Sequence, residues 1–454
     1  MALSALIQWE VRPTNGTANA GGGFTAGASG TDYSQQNAVQ VAYTDLVIEA
    51  TTTNLTSSLN PFTAAHVGNV IAITGGTGFT TGLYEVVSIA AAVATMDRSV
   101  GTTASTGGTG NLGGARSGFS VGTTTLQASL VAGQKVWVKN EAWNEAVSLT
   151  INGASGAPIT VEGYNTARAD TPTGTNRPLL DRANAAGIAV TVTGSNYVFK
   201  YLRVTRAGTY ALSDTSSFLL LGCRLYNNGS GAISHGGSGA PVLINTELDT
   251  NTGTAFTHAG TLTVWGCGVY VHDNTGNFMG GGGNESVHFV SCISEANAGH
   301  GLGLLSGGKL FLINVTVDGN TGATTDGYNG STPVASSVML NCIFSNNGRY
   351  GANCTDSDSV WADYNDYFGN ATAARNNFPT GPNDQAVDPG FVDRANGNFA
   401  IGTALKALGY PGIFPGGLST GYLDIGAVQR QEGAGSGGLR TRPRHNLVTD
   451  GVLT

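Results

Sequence analysis

Short apolar runs recur along the middle of the chain, each followed within a few residues by a second short segment. The runs are FLLL at 218–221, VLI at 242–244, LTVW at 262–265, VHFV at 287–290, LFLI at 310–313 and VML at 338–340. Each pair of segments runs into a polar triplet: Asn227-Asn228-Gly229, Asn251-Thr252-Gly253, Asn274-Thr275-Gly276, Asn297-Ala298-Gly299, Asn320-Thr321-Gly322 and Asn346-Asn347-Gly348. The leading asparagines are 24, 23, 23, 23 and 26 residues apart. A helix cannot pass through a Gly-bearing turn at that interval without heavy propensity cost, whereas short strands joined by a fixed corner can. A period of this length predicts a solenoid, in which each repeat packs on its neighbours. The expected fold is all-β, a right-handed parallel β-helix.

The triplet has a physical reason. Asn tolerates the left-handed backbone region and Gly meets no steric cost there, so both suit a corner. Asparagines in register can also hydrogen-bond along the axis, as polar ladders do in stacked sheets. Asn227, Asn251, Asn274, Asn297, Asn320 and Asn346 are therefore expected to form a structural ladder. Cys223, Cys267, Cys292 and Cys342 stand four to seven residues before their asparagines and are expected to stack inward as free thiols. Five cysteines, with no CxxC pair, support neither a disulfide scaffold nor a zinc site.

Less regular turns precede and follow the repeats, at 136–145, 157–165, 197–204 and 364–370. A coil from about 120 to 375 at this pitch has about ten turns and a length on the order of 50 Å, with strands ~4.8 Å apart. Residues 1–115 lack the period and contain a plausible hairpin, 69–74 with 83–89, so they are expected to form an N-terminal β cap or attachment domain. The coil is then 116–380, a C-terminal cap 381–430, and a Gly/Ser linker with a basic and apolar arm 431–454.

Composition narrows the function. With 69 Gly, 40% hydrophobic residues and only 11% charged, the chain suits many turns and short strands. A net charge of -8 argues against nucleic acid as a partner, because phosphates are held by clustered Lys and Arg. No apolar run is long enough for a membrane span. The first ten residues lack a basic region before their apolar stretch, so export by a Sec signal is not expected and synthesis in a host cytoplasm is. His235, His258, His288 and His300 fall at scattered offsets and the run Gly280–Gly283 follows no strand-to-helix pattern, so no metal, phosphate or cofactor site is expected.

One constellation could carry chemistry. Counting back two residues from successive asparagines gives Asp249, His272, Glu295 and Asp318. Strand alternation puts these on a common outward face, with Leu248, Val271 and Val317 inward. Adjacent turns would bring Glu295 and Asp318 to roughly 5 Å and Asp249 and Glu295 to roughly 10 Å, the separations of retaining and inverting glycosidases. Glu295 would be the acid, raised by its neighbour, with Asp318 or Asp249 as base or nucleophile and His272 as a binding residue. A lyase would want a basic proton acceptor, and no Arg or Lys stands in that column. The bland alternative, favoured here, is a solvated polar stripe.

Three segments carry a family resemblance: LVAGQKVWV at 130–138, GAPITVEG at 156–163, and VDPGFVD at 387–393 with LDIG at 423–426. Together with the repeats they resemble the pectate-lyase-like right-handed β-helix superfamily, a likeness that implies fold more than activity. The opening, with IQWEVR at 7–12, GGGF at 21–24 and GTDYSQQ at 30–36, resembles tail-spike-like structural proteins of tailed bacteriophages. That likeness implies a virion component on the outer surface of the particle, a homotrimer contacting other virion proteins such as the major capsid protein or tail proteins. The expected role is a non-enzymatic capsid decoration or stabilising protein; the alternative is a tail spike that binds or cleaves host polysaccharide.

Overall fold

The structure is a computed structural model that describes residues 3–35, 41–122, 124–260, 262–282, 285–304, 308–330, 337–355, 360–411 and 424–429. The arm 431–454 lies outside these, as do Gln36 and Leu423 of the quoted motifs. The fold is all-β: among the described residues the sole α-helix is Leu126–Ser129, and none is long and apolar enough to cross a membrane. The chain forms two compact units, residues 1–182 with 189–203, and residues 183–188 with 204–454. Its strands coil into a parallel β-helix of about ten turns.

In the first unit the strands Val41–Ile48, Asn54–Thr56, Val93–Met96, Gly82–Ala90, Val70–Gly75 and Ser105–Leu112 close into a barrel. Val70–Gly75 and Gly82–Ala90 pair antiparallel, from Val70 opposite Glu85 to Ile73 opposite Gly82, around a core that includes Leu46, Ile71 and Val86. The barrel starts only at Val41. The strand Ile7–Val11, expected within the cap domain, instead lies parallel to Lys135–Lys139, with Trp9 beside Val136 and Val11 beside Val138. Its alternating Ile7, Trp9 and Val11 are fully buried, which is what attaches it to the coil. The coil continues with Ile159–Tyr164 on Lys135–Lys139 and Tyr197–Lys200 on Ile159–Tyr164, all parallel.

In the second unit three sheets run along the coil. The first stacks Phe218–Leu221, Val242–Ile244, Leu262–Cys267, Glu285–Val290, Lys309–Ile313, Ser337–Leu340 and Val360–Asp363. The second stacks Arg224–Tyr226, Glu247–Asp249, Tyr270–His272, Ile293–Glu295, Thr316–Asp318, Ile343–Ser345 and Asp366–Phe368. The third begins with Tyr210–Asp214, Gly231–His235, Phe256–Ala259 and Met279–Gly282.

The asparagine ladder runs through Asn228, Asn251, Asn274, Asn297, Asn320, Asn347 and Asn370. At each step the backbone N–H and Nδ2 of one asparagine donate to Oδ1 of the next: 3.1 and 2.8 Å from Asn228 to Asn251, 3.0 and 2.9 Å from Asn251 to Asn274, and so on to Asn370. Asn227 and Asn346 are therefore corrected by one residue. Both belong to Asn-Asn-Gly triplets, and in each the second Asn stacks while the first takes the left-handed backbone, φ 54°. That conformation falls on the residue before the ladder at every corner, including Thr250, Asp273, Ala296 and Gly319. The glycine that closes each Asn-Asn-Gly triplet, one residue beyond the ladder asparagine, serves a different need. A Cβ on Gly229 would stand 2.3 Å from the Gly208 carbonyl oxygen, and one on Gly348 2.0 Å from that of Gly322. Close approach of stacked backbones selects these glycines.

Three of the repeat cysteines, Cys223, Cys292 and Cys342, are buried, but Cys267 is exposed. Those three follow the left-handed corner residue (Gly222, Ser291, Asn341), whereas Cys267 precedes Gly268. A one-residue shift on a strand reverses the face.

The C-terminal section does not simply close an end. Phe399 and Ala427 pack on Tyr270 and Ile293, and Ile401, Leu405 and Ile425 pack on Ile343, so the described parts of this section, within 387–411 and 424–429, lie on the outside of the second sheet. The Ala427 N–H donates to Thr316 Oγ1 at 3.0 Å and the Gly426 N–H to the Asn341 carbonyl at 2.8 Å.

Candidate functional site

Each strand of the second sheet is three residues long and reads out, in, out. Leu248, Val271 and Val317 are fully buried in the coil, and between them the register stacks Asp249, His272, Glu295 and Asp318 in one outward column. A parallel column beside it holds Arg224, Glu247, Tyr270, Ile293, Thr316 and Ile343.

Outward does not mean solvated here. Asp249 is 1% exposed and Asp318 0%. Arg224 grips Asp249 with two prongs, Nε to Oδ1 at 2.9 Å and Nη2 to Oδ2 at 2.8 Å, and reaches Glu247 at 3.5 Å. Burial pushes the Asp249 carboxyl above the usual range, with the charge of Glu247 adding to it and Arg224 opposing. Asp318 lies beneath the C-terminal section. Ser345 Oγ and Asn346 Nδ2 donate to its Oδ1 at 2.6 and 2.9 Å, and Arg394 pairs with its Oδ2.

Glu295 accepts a hydrogen bond from the Tyr270 hydroxyl. Burial raises it, and Asp273 and Asp318 add to the shift while Tyr270 and His272 oppose it. His272 stacks on Tyr270, ring centroids 4.2 Å apart, with Nδ1 2.8 Å from Asp273 and Nε2 3.1 Å from Glu247. Burial alone would lower its pKa, but those two hydrogen bonds and the charges of Asp249 and Glu247 push it up to about 10. It is an imidazolium at neutral pH.

The sequence-derived column is thus brought together, but its four members do not share one environment. Asp318 is roofed, Asp249 is locked by Arg224, Glu295 is half-buried against Tyr270, and His272 is a charged link between acids. A glycosidase pair needs one carboxylate free to take or give a proton and another free to attack or activate water. Both oxygens of Asp249 and both of Asp318 are already engaged. What the arrangement does well is bind turn to turn.

Glu247, Asp249 and His272 place ligand atoms within 4.8 Å of one another. Both oxygens of Asp249 are already engaged by the Arg224 guanidinium.

Arg224, Glu247, Tyr270, Asp273 and Arg394 were missed by sequence reasoning. The first three stand four residues before their ladder asparagines, so the same offset counting would have found them. Asp273 is the corner residue itself. Arg394 comes from 76 residues downstream of Asp318, and nothing periodic marks it.

Residues 186–337 match the family model described as "Right handed beta helix region". No curated protein matches the chain. Among solved structures the chain is similar to the pectate lyase Pel9A, with 14% identity, a TM-score of 0.48, and coverage of 68% of this chain and 91% of that one. It is also similar to a rhamnogalacturonan lyase, with 12% identity, a TM-score of 0.33, and coverage of 62% and 89%. A third is the A-module of the mannuronan C-5 epimerase AlgE4 of Azotobacter vinelandii, with 10% identity, a TM-score of 0.31, and coverage of 56% and 91%. No residue named above takes a role from these proteins.

Proposed function

We propose that this chain, whose residues 186–337 match the right-handed β-helix family model, is a non-catalytic structural protein on the outer surface of a tailed-phage particle. The observation that carries the non-catalytic part is the state of the acidic column. Asp318 is buried with both oxygens held by Ser345, Asn346 and Arg394, and Asp249 is closed by Arg224. Carboxylates spent on internal pairs tie successive turns together and leave no acid and base poised over a substrate. The seven-asparagine ladder and the contacts of Phe399, Ile401, Leu405, Ile425 and Ala427 on the second sheet serve the same end, a coil fastened inside and out. The phage setting rests on the resemblance of the opening forty residues.

The test has two arms. The purified chain is incubated with surface polysaccharide of the bacterial host and product length is followed; no shortening is expected. Shortening that disappears in Glu295→Gln would overturn the reading and restore the polysaccharide-cleaving tail spike. Images of the assembled particle should place the chain on its exterior, and its absence there would sink the virion assignment.

A further inference from the structure

Along the third sheet a column of ionisable side chains interrupts the apolar interior of the coil. Leu212, Ile233 and Phe256 point inward and are buried, and two residues further along the same strands Asp214, His235 and His258 point inward too. Parallel register sets Asp214 beside His235 and His235 beside His258. Asp214 and His235 are each 1% exposed and His258 6%. The column ends at Gly281, where a Cβ would stand 2.2 Å from the His258 carbonyl oxygen and 2.7 Å from its ring. The repeat does mark these residues. Counted from Asn227 and Asn251, His235 and His258 stand at offsets of eight and seven, which hides the pattern; counted from the ladder asparagines Asn228 and Asn251, both stand at seven. Asp214 stands seven after Ala207, whose N–H donates to Asn228 Oδ1 at 3.0 Å and so holds the preceding place in the ladder.

These groups do not satisfy one another. Asp214 Oδ1 accepts from the Ser216 N–H, but Asp214 Oδ2 and both ring nitrogens of His235 have no hydrogen-bond partner among the described residues. Polar atoms buried in that state call for a partner. The spacing says which kind. His235 Nδ1 stands 3.6 Å from Asp214 Oδ1. A direct hydrogen bond ends near ~3.2 Å, and a water bonded to both at ~2.8 Å would hold them roughly 4.6 Å apart. Two ligands of a tetrahedral zinc ion, each ~2.0–2.1 Å from the metal, stand roughly 3.4 Å apart. The observed gap is closest to the last. Imidazole nitrogen with carboxylate oxygen also suits a transition metal better than calcium or magnesium, which take oxygen. The group of Glu247, Asp249 and His272 differs, since there Arg224 holds both oxygens of the aspartate.

We propose that Asp214, His235 and His258 hold one divalent transition-metal ion of the zinc kind inside the coil, across three successive turns, with His258 completing the set by a turn of its ring. Because its ligands are buried, the ion is taken up as the chain folds, and it fastens the coil from within. The inference rests on the third sheet alone and stands whether or not the chain belongs to a phage particle.

The experiment uses the full chain, produced in zinc-supplemented medium and purified without a metal-affinity step, and reads its metal content by plasma emission. Expected is one zinc ion per chain in the wild type, falling to background in Asp214→Asn, His235→Gln and His258→Gln. His272→Gln, on the second sheet, should keep the ion. Three results would overturn the proposal: a wild type without a transition metal, a His235→Gln chain that carries zinc as the wild type does, or loss of the ion in His272→Gln, which would put it on the second sheet. Should circular dichroism show His235→Gln unfolded, X-ray absorption at the zinc edge of the wild type decides. A shell with two imidazoles and a carboxylate supports the site, and a shell of any other make-up overturns it.

Discussion

Arg224 reaches diagonally across one turn to close a two-pronged ion pair on Asp249, with contacts of 2.9 and 2.8 Å and the carboxylate 1% exposed. Removing Arg224 leaves the buried carboxylate without its counter-charge, whereas Arg224 itself is partly exposed and keeps Glu247. Arg224→Ala should therefore cost about 3–5 kcal/mol, whereas replacing both with apolar residues of similar volume should cost far less. Chemical denaturation of the two variants checks this; equal losses would mean that the pair does not act as a unit.

The ladder makes a sharper contrast between neighbouring residues. Asn274→Ala removes the acceptor used by Asn251 and the donor to Leu248 and Asn297, all buried, and to the part-buried His272 carbonyl. With ~1–3 kcal/mol for each orphaned group, a loss on the order of 3 kcal/mol or more is expected. Asn227→Gly should fall within ~0.5 kcal/mol of wild type, because glycine adopts φ 54° freely and the stacking is done by Asn228. Denaturant midpoints of the two variants give the answer.

His272 supplies a pH test. Its folded pKa of about 10 lies above the ordinary imidazole value of 6.5. Its contribution to stability is thus fully present below pH 6.5 and is lost as pH rises through 10. NMR of the imidazole carbons should show the charged form throughout neutral pH, and Glu247→Gln should bring the titration down. A ring that titrates near 6.5 in the wild type would remove His272 as a charged link.

In the first unit Glu10 is fully buried, with Tyr164 donating to it and Arg168 Nε at 3.0 Å. Burial outweighs both partners and pushes its pKa from 4.5 up to about 7. The folded value is raised, so its stabilising contribution is complete below pH 4.5 and declines as pH rises through 7. Amide exchange over Ile7–Val11 should accelerate across that window, and Glu10→Gln should flatten the change. A rate that slows with pH, after correction for intrinsic exchange, would contradict it.

Much of the fold was legible because it is local and repeated. A strand, a corner and an asparagine every 23 residues or so state the coil and its register, and the register alone aligned Asp249, His272, Glu295 and Asp318. Reading faltered where two residues were equivalent, as in Asn227-Asn228, and where a strand's phase slipped by one, as at Cys267. It also stopped at the first strand, since Ile7–Val11 finds Lys135–Lys139 more than a hundred residues away.

The repeat by itself therefore determined the all-β coil, its pitch and which residues share a face, since each repeat needs only its neighbours to fix its backbone. Only the tertiary structure decided what covers that face. Arg394 meets Asp318, and Phe399 and Ile425 cover Tyr270 and Ile343 from outside the period. Once those contacts strip the water from an outward carboxylate, it has to be satisfied by a neighbour, and a column that reads as solvent-facing in the sequence is covered and paired in the fold.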